Sequence, residues 1–206
     1  MSFYENHVLP HLLHLACGHE VVERQRAAVV PQARGRVLEV GMGSGLNLPH
    51  YDPRRVELVW GLEPSEGMRR KARRNVTRAP FEARWLDLPG EEIPLDDNSV
   101  DTVVLTYTLC TIPDWHRALE QMRRVLKPGS QLLFCEHGTA PDEAVRQWQD
   151  RVNPLWCKVA GGCHLNRDIP ELIEHAGFGI QRMETGYLSK VPRFAGFNFW
   201  GAAVPR

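Results

Sequence analysis

Val37-Leu38-Glu39-Val40-Gly41-Met42-Gly43-Ser44-Gly45 reads as an apolar strand that runs into a turn carrying three glycines and then opens a helix at Gly45. Glycines in such a turn let the backbone approach a ligand closely and adopt conformations that a Cβ forbids. A dinucleotide fingerprint, G-x-G-x-x-G, needs its last glycine at position 46, and that residue is Leu46. The spacing is instead G-x-G-x-G, with an acid, Glu39, two residues ahead of Gly41. A carboxylate there repels a pyrophosphate but balances a ligand carrying an ammonium and a sulfonium. The turn therefore favours S-adenosylmethionine (SAM), with Glu39, Gly41, Gly43, Gly45 and Asn47 as candidate cofactor contacts.

Working outward, a second acid, Glu63, stands with Pro64 at the end of the next apolar run, Val56–Leu62. That is where a Rossmann-like layer arrangement places the carboxylate that accepts from both ribose hydroxyls. After the third run two acids, Asp87 and Glu91, compete for the adenine amine, and the sequence leaves both open. Thr106, after the fourth run, is the expected neighbour of the methionine part.

The expected elements alternate. Strands are read at Arg36–Val40, Val56–Leu62, Phe81–Leu86, Asp101–Thr106 and Gln131–Glu136, with helices over Ser65–Asn75 and Pro113–Leu126. Lys127-Pro128-Gly129 is read as the stop of the second helix. A helix over Pro141–Val159 is expected to kink or split at Asn153-Pro154, and another spans Ile169–Ala176. Phe178–Glu184 and Phe197–Val204 form an antiparallel pair, and Leu12–Val30 gives one or two helices across the carboxyl edge of the sheet. The expected fold is α/β: a Rossmann-like, seven-stranded, mostly parallel sheet with helices on both faces and an N-terminal helical cap. The chain is read as one domain over 1–206: a cap (1–34), a cofactor-binding core (35–137) and acceptor-side helices with the terminal strand pair (138–206).

Composition narrows the partners. Lys plus Arg and Asp plus Glu each total 25 of 206 residues, so no net field draws nucleic acid or an anionic membrane. The five cysteines are odd in number and scattered, unlike a disulfide framework, which suits a reducing cytoplasm. Met1-Ser2-Phe3-Tyr4-Glu5 lacks a basic n-region, so no signal peptide is expected, and no apolar run is long enough to span a bilayer. His7, His11, His14 and His19 lack acidic or cysteine companions, and no metal is expected there.

Leu38–Gly45, Asp97-Asn98-Ser99-Val100-Asp101 and Arg124-Val125-Leu126-Lys127-Pro128-Gly129 resemble the motif series of the type 11 methyltransferases, a group of class I SAM-dependent enzymes that includes ubiquinone and menaquinone methyltransferases. Leu109-Cys110-Thr111, Phe134-Cys135-Glu136-His137, Asn153-Pro154-Leu155-Trp156 and Gly161-Gly162-Cys163-His164-Leu165-Asn166-Arg167 are similar to animal methyltransferase-like alkyl-thiol S-methyltransferases and bacterial relatives. From this sequence, the apolar membrane-anchoring N-terminus of those animal proteins is not expected. The resemblance implies methyl transfer from SAM to a small-molecule acceptor, a thiol in the narrower reading and a quinone-like phenol or phospholipid amine otherwise. A nicotinamide-dependent oxidoreductase and a non-catalytic SAM-binding module are the alternatives of other classes.

Methyl transfer from a sulfonium needs alignment and exclusion of water more than acid catalysis, although a thiol or phenol must also lose a proton. His137, just past the fifth strand, is the candidate base or substrate-orienting residue, or else a hydrogen-bonded support of the crest. Arg167 is read as an anion holder or a helix-start residue, and Tyr187 and Phe194 as possible walls of an apolar acceptor site.

Overall fold

A computed structural model describes Tyr4 and residues 8–206. Five strands, β1 (Gly35–Val40), β2 (Val56–Leu62), β3 (Glu82–Leu86), β4 (Val100–Thr106) and β5 (Leu126–His137), run parallel. β6 (Phe178–Tyr187) and β7 (Phe197–Pro205) complete a sheet of order β3-β2-β1-β4-β5-β7-β6, in which β7 is antiparallel to both neighbours. The strand order reverses between β1 and β4, and helices that leave in opposite directions from such a point open a crevice at the strands' carboxyl ends. Glu39 lies in register with Gly61 on β2 and Val104 on β4, so the acid of the glycine turn sits at that crevice.

Period-2 alternation along the strands builds two cores. Leu38, Trp60, Val103, Leu105 and Phe134 bury one face, together with Leu119 and Met122 of α4 (Trp115–Val125) and Ile169 and Ile173 of α6 (Ile169–His175). Val37, Val59, Val104 and Leu133 bury the other with Val29, the last residue of α2 (Glu20–Val29), and Val30. Residues buried from both sides explain the near-continuous apolar runs of a parallel sheet, each such side chain contributing about 1.5–3 kcal/mol.

Local chemistry sets the helix starts. α3 (Glu66–Arg78) begins at Ser65, whose hydroxyl accepts from Met68 N at 3.3 Å, and α4 begins at Asp114, whose carboxylate accepts from Arg117 N at 3.1 Å. α1 (Leu9–Cys17) and α2 lie over the carboxyl edge, where His14 Nδ1 stands 2.8 Å from Ser44 Oγ. α5 (Glu143–Val159) and the single turn α7 (Arg193–Gly196) cover the β5–β7 side.

Three expectations are corrected. No α-helix opens at Gly45: residues 41–47 form a turn followed by a 3-10 turn over Leu48–His50, because Gly41, Gly43 and Gly45 all hold positive φ and Pro49 follows. Lys127-Pro128-Gly129 does not stand outside the elements; β5 already starts at Leu126 and runs through it. α5 passes Pro154 without breaking, since the carbonyl that loses its donor belongs to Asp150, which is exposed. The apolar stripe of α5 also faces outward: Trp148 is 59%, Leu155 67% and Val159 50% exposed, while the buried side carries Gln149.

The first residues bearing on a signal peptide, and His7, lie outside the described residues apart from Tyr4. His11, His14 and His19 do not converge: they bond to Lys71 Nζ, Ser44 Oγ and Val21 N respectively. No helix among the described residues is long and apolar enough to cross a membrane.

Candidate functional site

The glycine turn is fixed by the strand beside it. Gly41 N and Met42 N both donate to Leu62 O, at 2.8 and 3.1 Å, and the three glycines sit at φ +71°, +58° and +72°. A Cβ on Gly41 would land on the Thr108 side chain, whereas one on Gly43 would meet only Met68 Cε, at 3.2 Å. Gly41 is thus required by packing as well as φ, and Gly43 presents an open backbone edge.

Glu63 stands directly after β2 and is 8% exposed. Its Oε1 accepts from Ser65 N at 2.8 Å, across Pro64, and its Oε2 from Gly43 N at 3.0 Å, so the ribose-type acid is tied to the glycine turn. Burial raises its pKa, a rise opposed by those backbone donors and by Arg69. The two candidate adenine acids separate: Asp87 follows β3 and is exposed, while Glu91 Oε1 accepts from Asp114 N at 3.2 Å at the start of α4.

Beneath the turn lies a buried polar network. Glu39 is 1% exposed; Oε1 accepts from Asn47 Nδ2 at 2.9 Å and Oε2 from Tyr51 OH at 2.7 Å. Burial lifts its pKa to about 7, against the pull of Tyr51, Arg26 and Asn47. Asn47 Nδ2 also donates to Thr106 Oγ1 at 2.9 Å. Arg26, from α2, completes the network by donating to Asn47 Oδ1 at 2.7 Å and Thr106 Oγ1 at 2.9 Å. It is 5% exposed, and its Nε is buried without a hydrogen-bond partner, the nearest carboxylate being Glu23 Oε1 at 3.9 Å. Glu39 therefore acts on the crevice through Asn47, and a cation nobody reads from the glycine motif stands in front of it.

Arg26 was missed by the sequence reading, yet a signal exists. It falls between Val22 and Val29 at spacings of four and three, on the apolar face of its own helix. An arginine on a buried stripe is expensive without an anion or dense hydrogen bonding to hold it there.

A second cluster is built at the ends of β4 and β5. Glu136 Oε1 accepts from Thr108 N at 2.7 Å and Leu109 N at 3.1 Å, which shapes the crest after β4; its Oε2 is buried and unpartnered. Burial raises the Glu136 pKa to about 7. His137 stacks on Tyr107, centroids 6.5 Å apart, with Nε2 3.2 Å from Cys163 Sγ. Burial opposes charge on His137, but the Cys163 sulfur and Glu136 outweigh it and leave the pKa raised. Tyr107 also meets the Arg26 guanidinium, 5.4 Å from the ring centroid, and its backbone is held at φ +53°. One strained aromatic residue thus joins the Glu39–Asn47–Arg26 network to His137.

Arg167 does not point at open space. Its Nη1 donates to Leu109 O and to Ile112 O, the latter at 2.8 Å, so it braces the crest. Tyr187 OH and Arg193 bind Asp142 on the surface. Phe194 packs edge-on to Trp156, with centroids 6.2 Å apart.

The residues present fit SAM: a glycine cradle with an open edge, a strand-end carboxylate bonded to it, and a buried guanidinium with an unused donor where a carboxylate can be met.

Comparison with known proteins agrees with the geometry. Residues 38–134 match the family described as "Methyltransferase domain". Rat (Rattus norvegicus) thiol S-methyltransferase TMT1B is 34% identical over 151 residues, 72% of this chain and 62% of that protein. Phosphatidylethanolamine N-methyltransferase of Cereibacter sphaeroides is 33% identical over 120 residues, 57% of this chain and 58% of its own. The chain therefore spans a little under two thirds of the curated relatives it matches. A crystal structure of a putative methyltransferase from Bacillus halodurans superimposes with a TM-score of 0.70 at 17% identity, covering 89% of this chain and 97% of its own. Residues 38–134 are accordingly similar to that methyltransferase domain, and the sheet has the Rossmann-like fold of the class I methyltransferases.

Proposed function

We propose that the chain is an enzyme that methylates a small thiol with SAM. The observation that carries this reading is the sharing of Tyr107: Arg26 of the cofactor network lies over one part of the ring and His137 of the acceptor side stacks on it. The thiol class is favoured by the similarity to TMT1B over 72% of the chain and by the soft, sulfur-rich surroundings of His137. SAM, when bound, supplies an electrophilic methyl group whose leaving group is a neutral thioether.

The chain's own residues bind and align. Gly41, Gly43 and Gly45 bring backbone to the cofactor, Glu63 accepts from the ribose, Asp87 takes the adenine amine, and Arg26 with Asn47 and Thr106 holds the amino-acid end. Gln149, 1% exposed, donates to Gly138 O and Leu165 O at 2.9 Å and to Phe194 O at 3.1 Å, pinning the segments that wall the acceptor side. Such pinning favours alignment and exclusion of water, which is where the rate gain of a methyl transfer lies. His137 Nε2 is already engaged by Cys163 Sγ, so its role is on the acceptor rather than on the cofactor. Incubation with methyl-labelled SAM and a panel of alkyl thiols, phenols and amines should give labelled methyl thioethers. A label appearing only in phenols or amines refutes the thiol assignment.

A further inference from the structure

Three chain segments far apart in sequence bring soft ligand atoms to one point. Cys110 lies on the crest after β4, His137 ends β5, and Cys163 sits in the turn after α5. Cys110 Sγ, His137 Nε2 or Nδ1 and Cys163 Sγ all lie within 4.8 Å of one another, with Cys163 Sγ 3.2 Å from His137 Nε2. A tetrahedral zinc with bonds of about 2.3 Å to sulfur and about 2.05 Å to nitrogen holds two sulfurs about 3.8 Å apart and sulfur and nitrogen about 3.6 Å apart. The cluster, with one pair at 3.2 Å and none beyond 4.8 Å, is compact enough for these separations to be reached by small side-chain shifts.

The segments are held there by direct hydrogen bonds between them. His164 N donates to Cys110 O at 2.8 Å, tying the cysteine turn to the crest, and Arg167 bonds the carbonyls of Leu109 and Ile112 on either side of Cys110. Gly161 and Gly162, at φ +63° and +85°, turn Cys163 back toward His137. Trp156 Nε1 donates to Cys163 Sγ at 3.3 Å, a contact suited to a sulfur that carries negative charge. A second observation is independent of the sulfurs: Glu136, 0% exposed and next to His137, keeps Oε2 buried with no partner. A buried carboxylate oxygen without a donor is costly, and a cation bound nearby would supply the missing partner.

We propose that Cys110, His137 and Cys163 bind a zinc ion and that its open fourth position takes the sulfur of the acceptor, a deepening of the thiol reading above. Three protein ligands with one exchangeable position is the arrangement of catalytic rather than structural zinc. Two thiolates and a neutral imidazole neutralise the ion, and the acceptor enters as its thiolate. The acceptor's S–H bond breaks on coordination and the proton goes to solvent; its sulfur then forms the S–CH3 bond as the methyl carbon's bond to the sulfonium breaks, that electron pair staying on the departing sulfur. The metal makes a thiolate available at neutral pH, a task a histidine already engaged with Cys163 is poorly placed to perform.

The test uses the purified chain in a non-thiol reductant without chelator. Metal analysis should find about one zinc per chain, and cobalt(II) in its place should show thiolate-to-metal charge transfer and the visible bands of a tetrahedral site. Cys110→Ser and Cys163→Ser should lower the zinc content about tenfold or more while the melt stays cooperative. If those variants do not fold, the cobalt spectrum of the unmutated chain decides. Less than about one zinc per ten chains with no charge-transfer band on cobalt addition overturns the site. Adding an alkyl thiol should shift the visible cobalt bands. Bound metal with unmoved bands, and no thiol methylated, removes the thiol reading and the fourth-position assignment and leaves the three-ligand site. Undiminished thiol methylation by metal-stripped chain removes the metal's role and leaves the thiol reading.

Discussion

Arg26→Ala should weaken S-adenosylhomocysteine binding and leave 5′-methylthioadenosine binding nearly unchanged. The two ligands share adenosine and thioether, but the second lacks the amino-acid end. Arg26 is 5% exposed, bonded to Asn47 Oδ1 and Thr106 Oγ1, and keeps Nε unused. A hydrogen bond to a charged partner contributes about 1.5–3 kcal/mol. Loss of that bond to the ligand's carboxylate therefore predicts a Kd raised roughly 10- to 150-fold. The substitution also strips a donor from Asn47 and Thr106 and a counter-charge from Glu39, so some loss of stability is expected from the network itself. The comparison of ligands removes that confound, because a distorted crevice weakens both. Titration calorimetry at one pH gives the two affinities. Equal weakening of both ligands makes Arg26 a structural residue, and no weakening of either removes it from the site.

Glu63→Ala should cost about 1.5–3 kcal/mol of SAM affinity by calorimetry, since an anionic acceptor is lost; an unchanged Kd takes Glu63 out of the site. Gly41→Ala and Gly129→Ala both place alanine at positive φ, but a Cβ at 129 meets nothing within 4 Å while one at 41 strikes Thr108. Gly129→Ala should lower Tm by about 2–4 °C from strain alone, and Gly41→Ala by at least twice that; equal shifts refute the packing argument. Glu39, lifted by burial from 4.5 to about 7, binds its proton more tightly folded than unfolded, so its stabilising contribution is full below pH 4.5 and is lost as pH rises through 7. Wild type should lose about 3 kcal/mol relative to Glu39→Gln between those limits in denaturant titrations, and parallel pH profiles for the two proteins contradict the linkage.

The sheet was legible because its signals are local and repeated. β2 was read to the residue, and β1, β3 and β4 to within one, since an apolar run ending in a turn residue needs nothing from elsewhere in the chain. The nonlocal parts were not. β5 begins five residues before the expected Gln131, because its early pairing, Val100 with Leu126, depends on the neighbour strand and skips across a register shift. The helix expected at Gly45 fails because the glycines hold positive φ and Pro49 follows, and the folded chain adds a contact no spacing announces: Asn47 turns inward to Glu39 and Thr106. The apolar stripe of α5 gave its type but not its orientation, since Gln149 outcompetes it for the interior by satisfying three backbone carbonyls.

The site divides along the same line. Gly41, Gly43 and Glu63 come from adjacent strand ends, and Gly43 N bonded to Glu63 Oε2 is the contact their order foretells. Arg26 comes from the cap and Cys163 from a turn beyond α5, so neither is fixed by any spacing within the glycine motif. Tyr107 links those two segments, through Arg26 on one hand and through His137, which contacts Cys163, on the other. Its φ of +53° is a strained value for a β-carbon-bearing residue, and it is held by Tyr107 N to Cys135 O at 2.9 Å and Tyr107 OH to Asn198 Oδ1 at 2.8 Å. Asn198 pairs with His137 across β5 and β7, so the same bond that holds the strained ring also refers it to the histidine's strand. The residues on β1 and β2 are therefore declared by the sequence, whereas Arg26 on the cap, the crest after β4 and the Cys163 turn are brought into relation only by the folded chain.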